Sequence, residues 1–415
     1  MSHVTVDEKT STQQTILVIN SGSSSVKFAL FSSEASREIS RPRLWSGAIE
    51  RIGLNNGHFH VVDAEGAMAI DKAVVVDDHN AALRLLLTSV EQHSSVTSLA
   101  AVGHRVVHGG PDCDCPAVLS TGLEKRLHQL IPLAPLHQPG SLAGIEAIRN
   151  IQPDLLQVAC FDTSFHHALP KLAKLTGLPH KYFAEGVRRY GFHGLSYEYV
   201  VYALKRNGVD VERERIVVAH LGNGASMCAL MNGKSVDTTM GFSTLAGLPM
   251  GTRCGDLDPG VLLYLMAEKG LTLSHIEHLL YEESGLLGMS GLSRNMEDLL
   301  ARPALQSAVE AVDYYVYQAR RQLAGLTATL GGLDRLIFTG GIGANSSVIR
   351  SRICAGLEYL GITVDSKRNE AGEPRISTDN SQVAVEAFET DEEFMIAKHV
   401  HQLMTARTEA QEKFS

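Results

Sequence analysis

Apolar and polar positions along the chain alternate between two periods, and each stretch predicts an element. Ile16–Ile19 is a short apolar run rich in β-branched side chains, which predicts a buried strand. Gly22 and the serines beside it predict a turn, and Val26–Phe31 a second strand that closes a hairpin. Residues 48–76 break into further short strands at Gly and Asn turns. Asn80–Ser94 predicts a helix, with leucines at 83, 85, 86 and 87. Val102–Val107 reads as a strand ending at His108-Gly109-Gly110-Pro111. Ser141–Asn150 reads as a helix with Leu142, Ile145 and Ile148 on one face, and Leu155–Phe161 as a strand ending at Asp162-Thr163.

A second block starts near Phe165. Ile216–Leu221 predicts a strand, Gly222-Asn223-Gly224-Ala225-Ser226 a turn, and Met227–Met231 a returning strand. This repeats the N-terminal design, which suggests an internal duplication and two related domains facing a cleft. Ala304–Leu330 predicts one long amphipathic helix stopped by Gly331-Gly332. Leu336–Phe338 predicts a buried strand running into a third small-residue turn at 340–345, with a helix after it, and Val383–Phe388 a last strand. Thr390-Asp391-Glu392-Glu393 has the capping-box pattern of a terminal helix, with Glu393 serving the helix and Glu392 left for other work.

Composition narrows the function classes. A chain of 415 residues with 44% hydrophobic and 20% charged residues suits two or three globular domains. A net charge of −9 gives no global field for nucleic acid or an anionic membrane, so an anionic substrate requires positive charge gathered locally. The six cysteines are too sparse for a disulfide framework. Residues 1–14 lack a signal-peptide pattern, and no apolar run approaches the roughly 18 residues of a membrane span. The expected compartment is the cytoplasm.

Candidate chemistry clusters at the three small-residue turns, 20–25, 222–226 and 340–345. Such turns let backbone N–H groups approach phosphate oxygens unobstructed. None is a Walker loop, and Gly340-Gly-Ile-Gly343 lacks the third glycine of a dinucleotide fingerprint. Lys27 alternates with Val26 and Phe28, so it faces away from their side and is read either as solvated or as a point charge on phosphate. Arg105 sits inside a strand-like run and Arg253 in a Gly-flanked loop; a planar guanidinium suits carboxylate or phosphate. His193 lies between loop residues of Tyr190-Gly-Phe-His-Gly194, His137 follows Leu133-Ala-Pro-Leu136, and His166-His167 follow Asp162. The spacing of Cys113-x-Cys115 to these histidines matches no standard zinc pattern.

Taken jointly, Asn20-Ser-Gly-Ser-Ser-Ser-Val-Lys-Phe28, Gly103-His-Arg-Val-Val-His-Gly-Gly110, Cys160-Phe-Asp-Thr163, Tyr190-Gly-Phe-His-Gly194, His220-Leu-Gly-Asn-Gly224, Met250-Gly-Thr-Arg253 and Phe338-Thr-Gly-Gly-Ile-Gly343 resemble the acetate kinase family, in family order, from about 16 to 400. The resemblance implies an α/β fold of two duplicated actin/ribonuclease-H-like domains with mixed sheets flanked by helices. The domains are expected at 15–163 plus 393–405 and at 164–392, with polar tails at 1–14 and 406–415. It implies reversible phosphoryl transfer from ATP to acetate, giving acetyl phosphate and ADP, with Mg²⁺ or alternatively Mn²⁺, in a homodimer.

By position, the resemblance makes Asn20 and Glu392 the metal ligands and Asp162, His193 and Arg253 the catalytic residues. Arg105, Val107, His137 and Phe192 fall at the substrate site. The ATP-binding set is Ser23, Ser25, Lys27, His220, Leu221, Gly222, Asn223, Gly224, Asn295, Met296, Glu297, Gly341, Ile342, Gly343, Ala344 and Asn345. A carboxylate acceptor is already ionised at neutral pH, so catalysis is expected to rest on positioning and charge neutralisation. Asp162 is then expected to orient Arg253 or a metal-bound water rather than to take a proton from acetate.

The chain departs from the family pattern at Leu195 and Tyr197, where Thr and His are usual, and at Ala344, where Glu is usual. Asn295 and Glu297 stand where Asp and Arg are usual, and Thr244 replaces a pocket proline. These positions bear on nucleotide preference and acyl-chain size. The rival expectations are a propionate or other short-chain acyl kinase and a non-catalytic actin-like ATP-binding scaffold.

Overall fold

Hairpin pairing organises both halves of the chain. In the computed structural model, which describes residues 14–22, 24–33, 39, 41–93 and 98–412, β1 (Gln14–Ser21) pairs antiparallel with β2 (Ser25–Ser33). β3 (Arg43–Glu50), β4 (Gly57–Asp63) and β5 (Met68–Val74) continue the meander outward. On the other side β6 (Ser98–Val106) runs parallel to β1, and β8 (Leu156–Phe161) parallel to β6; β7 (Ala117–Val118) closes that edge. The strand order is β5-β4-β3-β2-β1-β6-β8-β7.

The second sheet is built the same way. β9 (Ile216–Leu221) pairs antiparallel with β10 (Ala225–Met231), which pairs antiparallel with β11 (Lys234–Thr238). β12 (Arg335–Thr339) runs parallel to β9, and β13 (Ala384–Ala387) parallel to β12. Its order, β11-β10-β9-β12-β13, matches β3-β2-β1-β6-β8 strand for strand in position and direction. The duplication suggested by the two hairpins is therefore a duplication of whole five-stranded mixed sheets.

The chain divides into two units. The first takes in the described residues up to Gly109, Cys115–Phe161 and the chain from Glu392 onward; the second takes in Gly110–Asp114 and Asp162–Asp391. The first core joins Leu17, Ile19, Val26, Phe28, Ile49, Phe59 and Val61 of the sheet to Leu83, Leu86 and Ile148 of the helices His79–His93 and Gln138–Ile151. The terminal helix also packs on this sheet, and Gly103 makes room for it. A Cβ there would lie 2.5 Å from a methyl of Ile396. The second core joins Val218, Cys228, Leu230 and Ile337 to Tyr197, Val200 and Leu204 of the helix Gly194–Arg206.

Three sequence expectations change. Residues 340–345 form a short helix, Gly340–Asn345, rather than a turn. The terminal helix spans Glu392–Glu412, so the exposed residues 406–411 continue that helix. Glu393 does not act as a capping-box partner: its carboxylate bonds Arg43 Nη2 at 3.2 Å, while Thr390 Oγ1 lies 3.3 Å from Ser196 Oγ. The long helix, by contrast, ends as its glycines predict, with Gly331 left-handed at φ 69°.

Candidate functional site

In the first unit the β1–β2 register places Asn20 directly opposite Lys27. Paired residues share one face of a sheet, and alternation with Val26 and Phe28 puts Lys27 on the face away from the core, where it is exposed. Ser25 opens β2 half-buried; Ser23 lies outside the described residues. Arg105, near the end of β6, meets Glu392 at the start of the terminal helix, with Nη1 and Oε2 3.3 Å apart. Both groups are largely shielded, at 20% and 18% exposure, so this pairing of metal-ligand and substrate-ligand candidates is more than a surface contact. Val107 is buried just past β6. His137 stands at the N-terminus of the helix Gln138–Ile151, its N–H bonded to Ala134 O at 3.1 Å. Acetate and metal-site candidates of this unit thus arise from β1, β6 and the terminal helix, while His137 stands apart in sequence on a helix cap.

In the second unit the turn Gly222–Gly224 is a hub. A Cβ at Gly224 would lie 3.2 Å from His193 Nε2 and 4.0 Å from Arg253 Nη1. A Cβ at Gly222 would lie 3.8 Å from Gly341 N, and Gly251 N donates to Asn223 O at 3.3 Å. Gly251 in turn abuts the carbonyl of Arg294, the residue before Asn295. Three segments distant in sequence therefore meet at one small-residue turn, and a side chain at Gly224 would crowd the His193 ring.

Arg253 is fixed within this cluster. Its Nη1 donates to Thr244 O at 3.3 Å and lies 3.6 Å from Met250 Sδ. Burial draws its pKa down, with Tyr281 and Glu282 opposing, yet a guanidinium is basic enough to remain charged. Its loop is pinned by Met250 N to Arg253 O (3.0 Å) and by Leu286 N to Met250 O (2.9 Å). Gly285, at φ 61°, allows the following helix to approach, since a Cβ there would lie 2.1 Å from Met250 O. The departure at Thr244 leaves the Arg253 contact intact, because the acceptor is a backbone carbonyl that any residue supplies.

His193 occupies a left-handed conformation, φ 59°, at the N-cap of Gly194–Arg206. Gly194 N donates to Asp162 O at 2.9 Å, and a Cβ on Gly194 would meet that oxygen at 2.3 Å. Asp162 itself is buried. The ring of His193 lies 4.5 Å from that of His220. Its Nδ1 is 2.8 Å from Ser226 Oγ, which makes a short hydrogen bond with Tyr197 Oη.

These last two partners were not among the candidates read from sequence. Tyr197 and Ser226 are fully buried, and burial raises the Tyr197 pKa well above its usual value, so the phenol keeps its proton. The one arrangement that leaves neither hydroxyl proton without an acceptor has Tyr197 donating to Ser226 and Ser226 donating to Nδ1. Nδ1 then accepts, and the proton resides on Nε2, the nitrogen nearest Gly224. The sequence signal was available in part: β10 pairs Ser226 with His220, and Tyr197 is where the chain departs from the family's histidine.

The remaining candidates divide. Phe192 is buried, with its carbonyl accepting from His166 Nε2 at 2.9 Å. His220 and Leu221 end β9; Ile342, Gly343 and Ala344 lie in the short helix, where the carbonyls of Gly343 and Ala344 accept from buried Arg350 at 3.0 and 2.6 Å. Asn345 Nδ2 bonds Glu389 Oε1 at 3.2 Å. Asn295 caps the helix Met296–Leu300, with Nδ2 3.2 Å from Asp298 Oδ2. Met296 packs inward, whereas Glu297 is exposed.

A five-stranded mixed sheet present twice, each copy carrying a small-residue hairpin turn, with His193 and Arg253 held beside the second turn, fits a phosphotransferase. Comparison with known proteins carries this to a family. The acetokinase family profile matches residues 15–398, and the chain belongs to that family. It is 48% identical over 393 residues to an acetate kinase of Rhodopseudomonas palustris, covering 94% of this chain and 98% of that one. It is 46% identical to an acetate kinase of Methylocella silvestris, with the same two coverages. Among solved structures, an acetate kinase of Porphyromonas gingivalis matches with a TM-score of 0.85 at 36% identity, covering 94% of this chain and all of that one. A propionate kinase of Francisella tularensis matches at 0.86 and 34%, covering 93% and 98%.

Proposed function

We propose that the chain transfers a phosphoryl group reversibly between ATP and acetate, giving acetyl phosphate and ADP. The observation that carries this reading is the convergence of His193 Nε2 and Arg253 Nη1 on Gly224 within an acetokinase. The obstacle in the reaction is an anion approaching an anionic phosphoryl group, so donors fixed in advance lower the barrier most. Arg253 supplies a buried positive charge and His193 a directed N–H; both stabilise the moving group. Gly222–Gly224 and the segment Gly341–Asn345 receive the nucleotide phosphates and ribose side, with Ser25 and Lys27 as further phosphate contacts.

Arg105 offers its planar fork to the substrate carboxylate, and Val107, His137 and Phe192 are further substrate contacts. Asp162 positions Arg253 or a metal-bound water. Asn20 and Glu392 would hold Mg²⁺ or Mn²⁺: an amide and a carboxylate oxygen suit a hard cation, and Arg105 pairs with the Glu392 carboxylate. The ion, when bound, neutralises phosphate charge. We place the enzyme in the cytoplasm as a homodimer.

Thr244 and the propionate kinase relative favour one alternative, a wider acyl specificity. A hydroxylamine trap for acyl phosphate, run with ATP, Mg²⁺ and acetate, propionate or butyrate, tests both readings. The expected result is highest kcat/KM with acetate and propionate within roughly 200-fold, the discrimination one methylene allows. A propionate preference would replace the acetate assignment, and acid-independent ATP turnover would remove the kinase reading.

A further inference from the structure

Strands β3, β4 and β5 carry a polar cluster on the face of the first sheet opposite its apolar core. In β4, Phe59 and Val61 are buried in that core, so the alternating His58 and His60 project from the other face. Register places Glu50 opposite His58 and Asp71 opposite His60. One ligand-capable atom from each of Glu50, His58 and His60 lies within 4.8 Å of the others. The two imidazoles stack, with centroids 5.5 Å apart at 29°. His58 Nε2 lies 2.6 Å from Asp71 Oδ1. His60 Nδ1 is shut off from solvent and, among the described residues, has no hydrogen-bond partner. A polar atom left in that state costs about 1–3 kcal/mol, so it calls for a ligand.

We propose that Glu50, His58 and His60 bind a divalent transition-metal ion of the zinc class, at a site separate from the one assigned above to Asn20 and Glu392. Two imidazoles with one carboxylate suit Zn²⁺, Co²⁺ or Ni²⁺, whereas Mg²⁺ and Ca²⁺ prefer oxygen donors throughout. An ion would give His60 Nδ1 the partner it lacks. Asp71 supplies the carboxylate that orients a metal-bound histidine. A tetrahedral zinc site brings its donors to about 3.4 Å from one another. Glu50 and His58 are half-exposed, which leaves their side chains room to turn toward that spacing. Three protein ligands leave a fourth position for water or a small anion.

The test titrates metal-free, full-length protein with Zn²⁺ by calorimetry and with Co²⁺ by visible absorption. Stoichiometric binding is expected in the parent, with the intense Co²⁺ bands of low coordination number. The double substitution His58→Ala/His60→Ala is expected to abolish both signals, and Asp71→Asn to weaken binding about tenfold. Glu50→Gln, on a half-exposed side chain that leaves the fold undisturbed, is expected to weaken it at least tenfold. Equal Zn²⁺ affinity in the parent and in Glu50→Gln, or Co²⁺ bands that persist in the double variant, would overturn the site. The readout is metal affinity, so its outcome is independent of whether the chain phosphorylates acetate.

Discussion

The two hairpins that begin the two sheets share strand order and a small-residue turn, yet their polar faces are built differently. In β1–β2 the opposed pair is Asn20 and exposed Lys27. In β9–β10 the opposed pair is His220 and fully buried Ser226, backed by Tyr197 and His193. The first hairpin presents long or solvated groups that can follow a ligand. The second holds an imidazole in one orientation and one protonation pattern before any ligand arrives. The strand scaffold is shared, and the difference lies in a few face positions.

The contrast can be broken most directly at Arg253. Arg253→Ala is expected to lower kcat by roughly 10³-fold, as loss of a fixed charge at a reacting group does, with far-ultraviolet circular dichroism unchanged. A fall of less than tenfold would mean that the second unit's pre-organised groups do not stabilise the transferred phosphoryl.

Tyr197→Phe tests the buried relay. It leaves Ser226 without its donor, so kcat is expected to fall about tenfold, one hydrogen bond's worth, with KM for acetate unchanged. Ser226→Ala should do the same, and the double variant should be no worse than the worse single one, because the two act through one nitrogen.

Acid should separate the units. Burial lowers the pKa of His104 and His108 in the first unit and of His166 in the second from 6.5 to about 4, with Gln157 and the Phe192 carbonyl opposing it at His104 and His166. The unfolded chain therefore binds more protons between those values. Stability is present in full above pH 6.5 and is lost as pH falls toward 4, by on the order of several kcal/mol for the three together. Hydrogen exchange across that window is expected to show the first unit, with two such histidines, losing protection at higher pH than the second.

The smallest effect is expected at ion pairs. Arg43–Glu393 is about one-third exposed on each side and should contribute under about 1 kcal/mol. Arg335, at 12% exposure, bridges Glu214 and Glu386, and burial, partly offset by the arginine, raises the Glu386 pKa. Arg335→Ala is expected to cost roughly 3 kcal/mol in urea unfolding, against near zero for Arg43→Ala.

Much of this was legible in the sequence, because local rules governed it. Alternation in 26–31 set which face Lys27 takes, and Gly331 set where the long helix stops. The motif glycines at 194, 222, 224 and 251 mark places where backbone or ring atoms approach within contact distance. The short helix at 340–345 was not legible, since its glycines carry no helical periodicity and it is held by tertiary partners, β9 and the distant Arg350 guanidinium. Nor was the role of Glu393, which a distant arginine took from the helix end.

The sequence by itself determined the duplicated strand-turn-strand pattern, the family and the candidate residues, because period, turn chemistry and motif spacing act over neighbours. Only the tertiary structure decided that Tyr197 and Ser226 orient His193, that Arg105 meets Glu392 and that Glu50, His58 and His60 converge. Such contacts depend on strand register and on which helix face packs against which sheet, and those are settled by burial of the whole core.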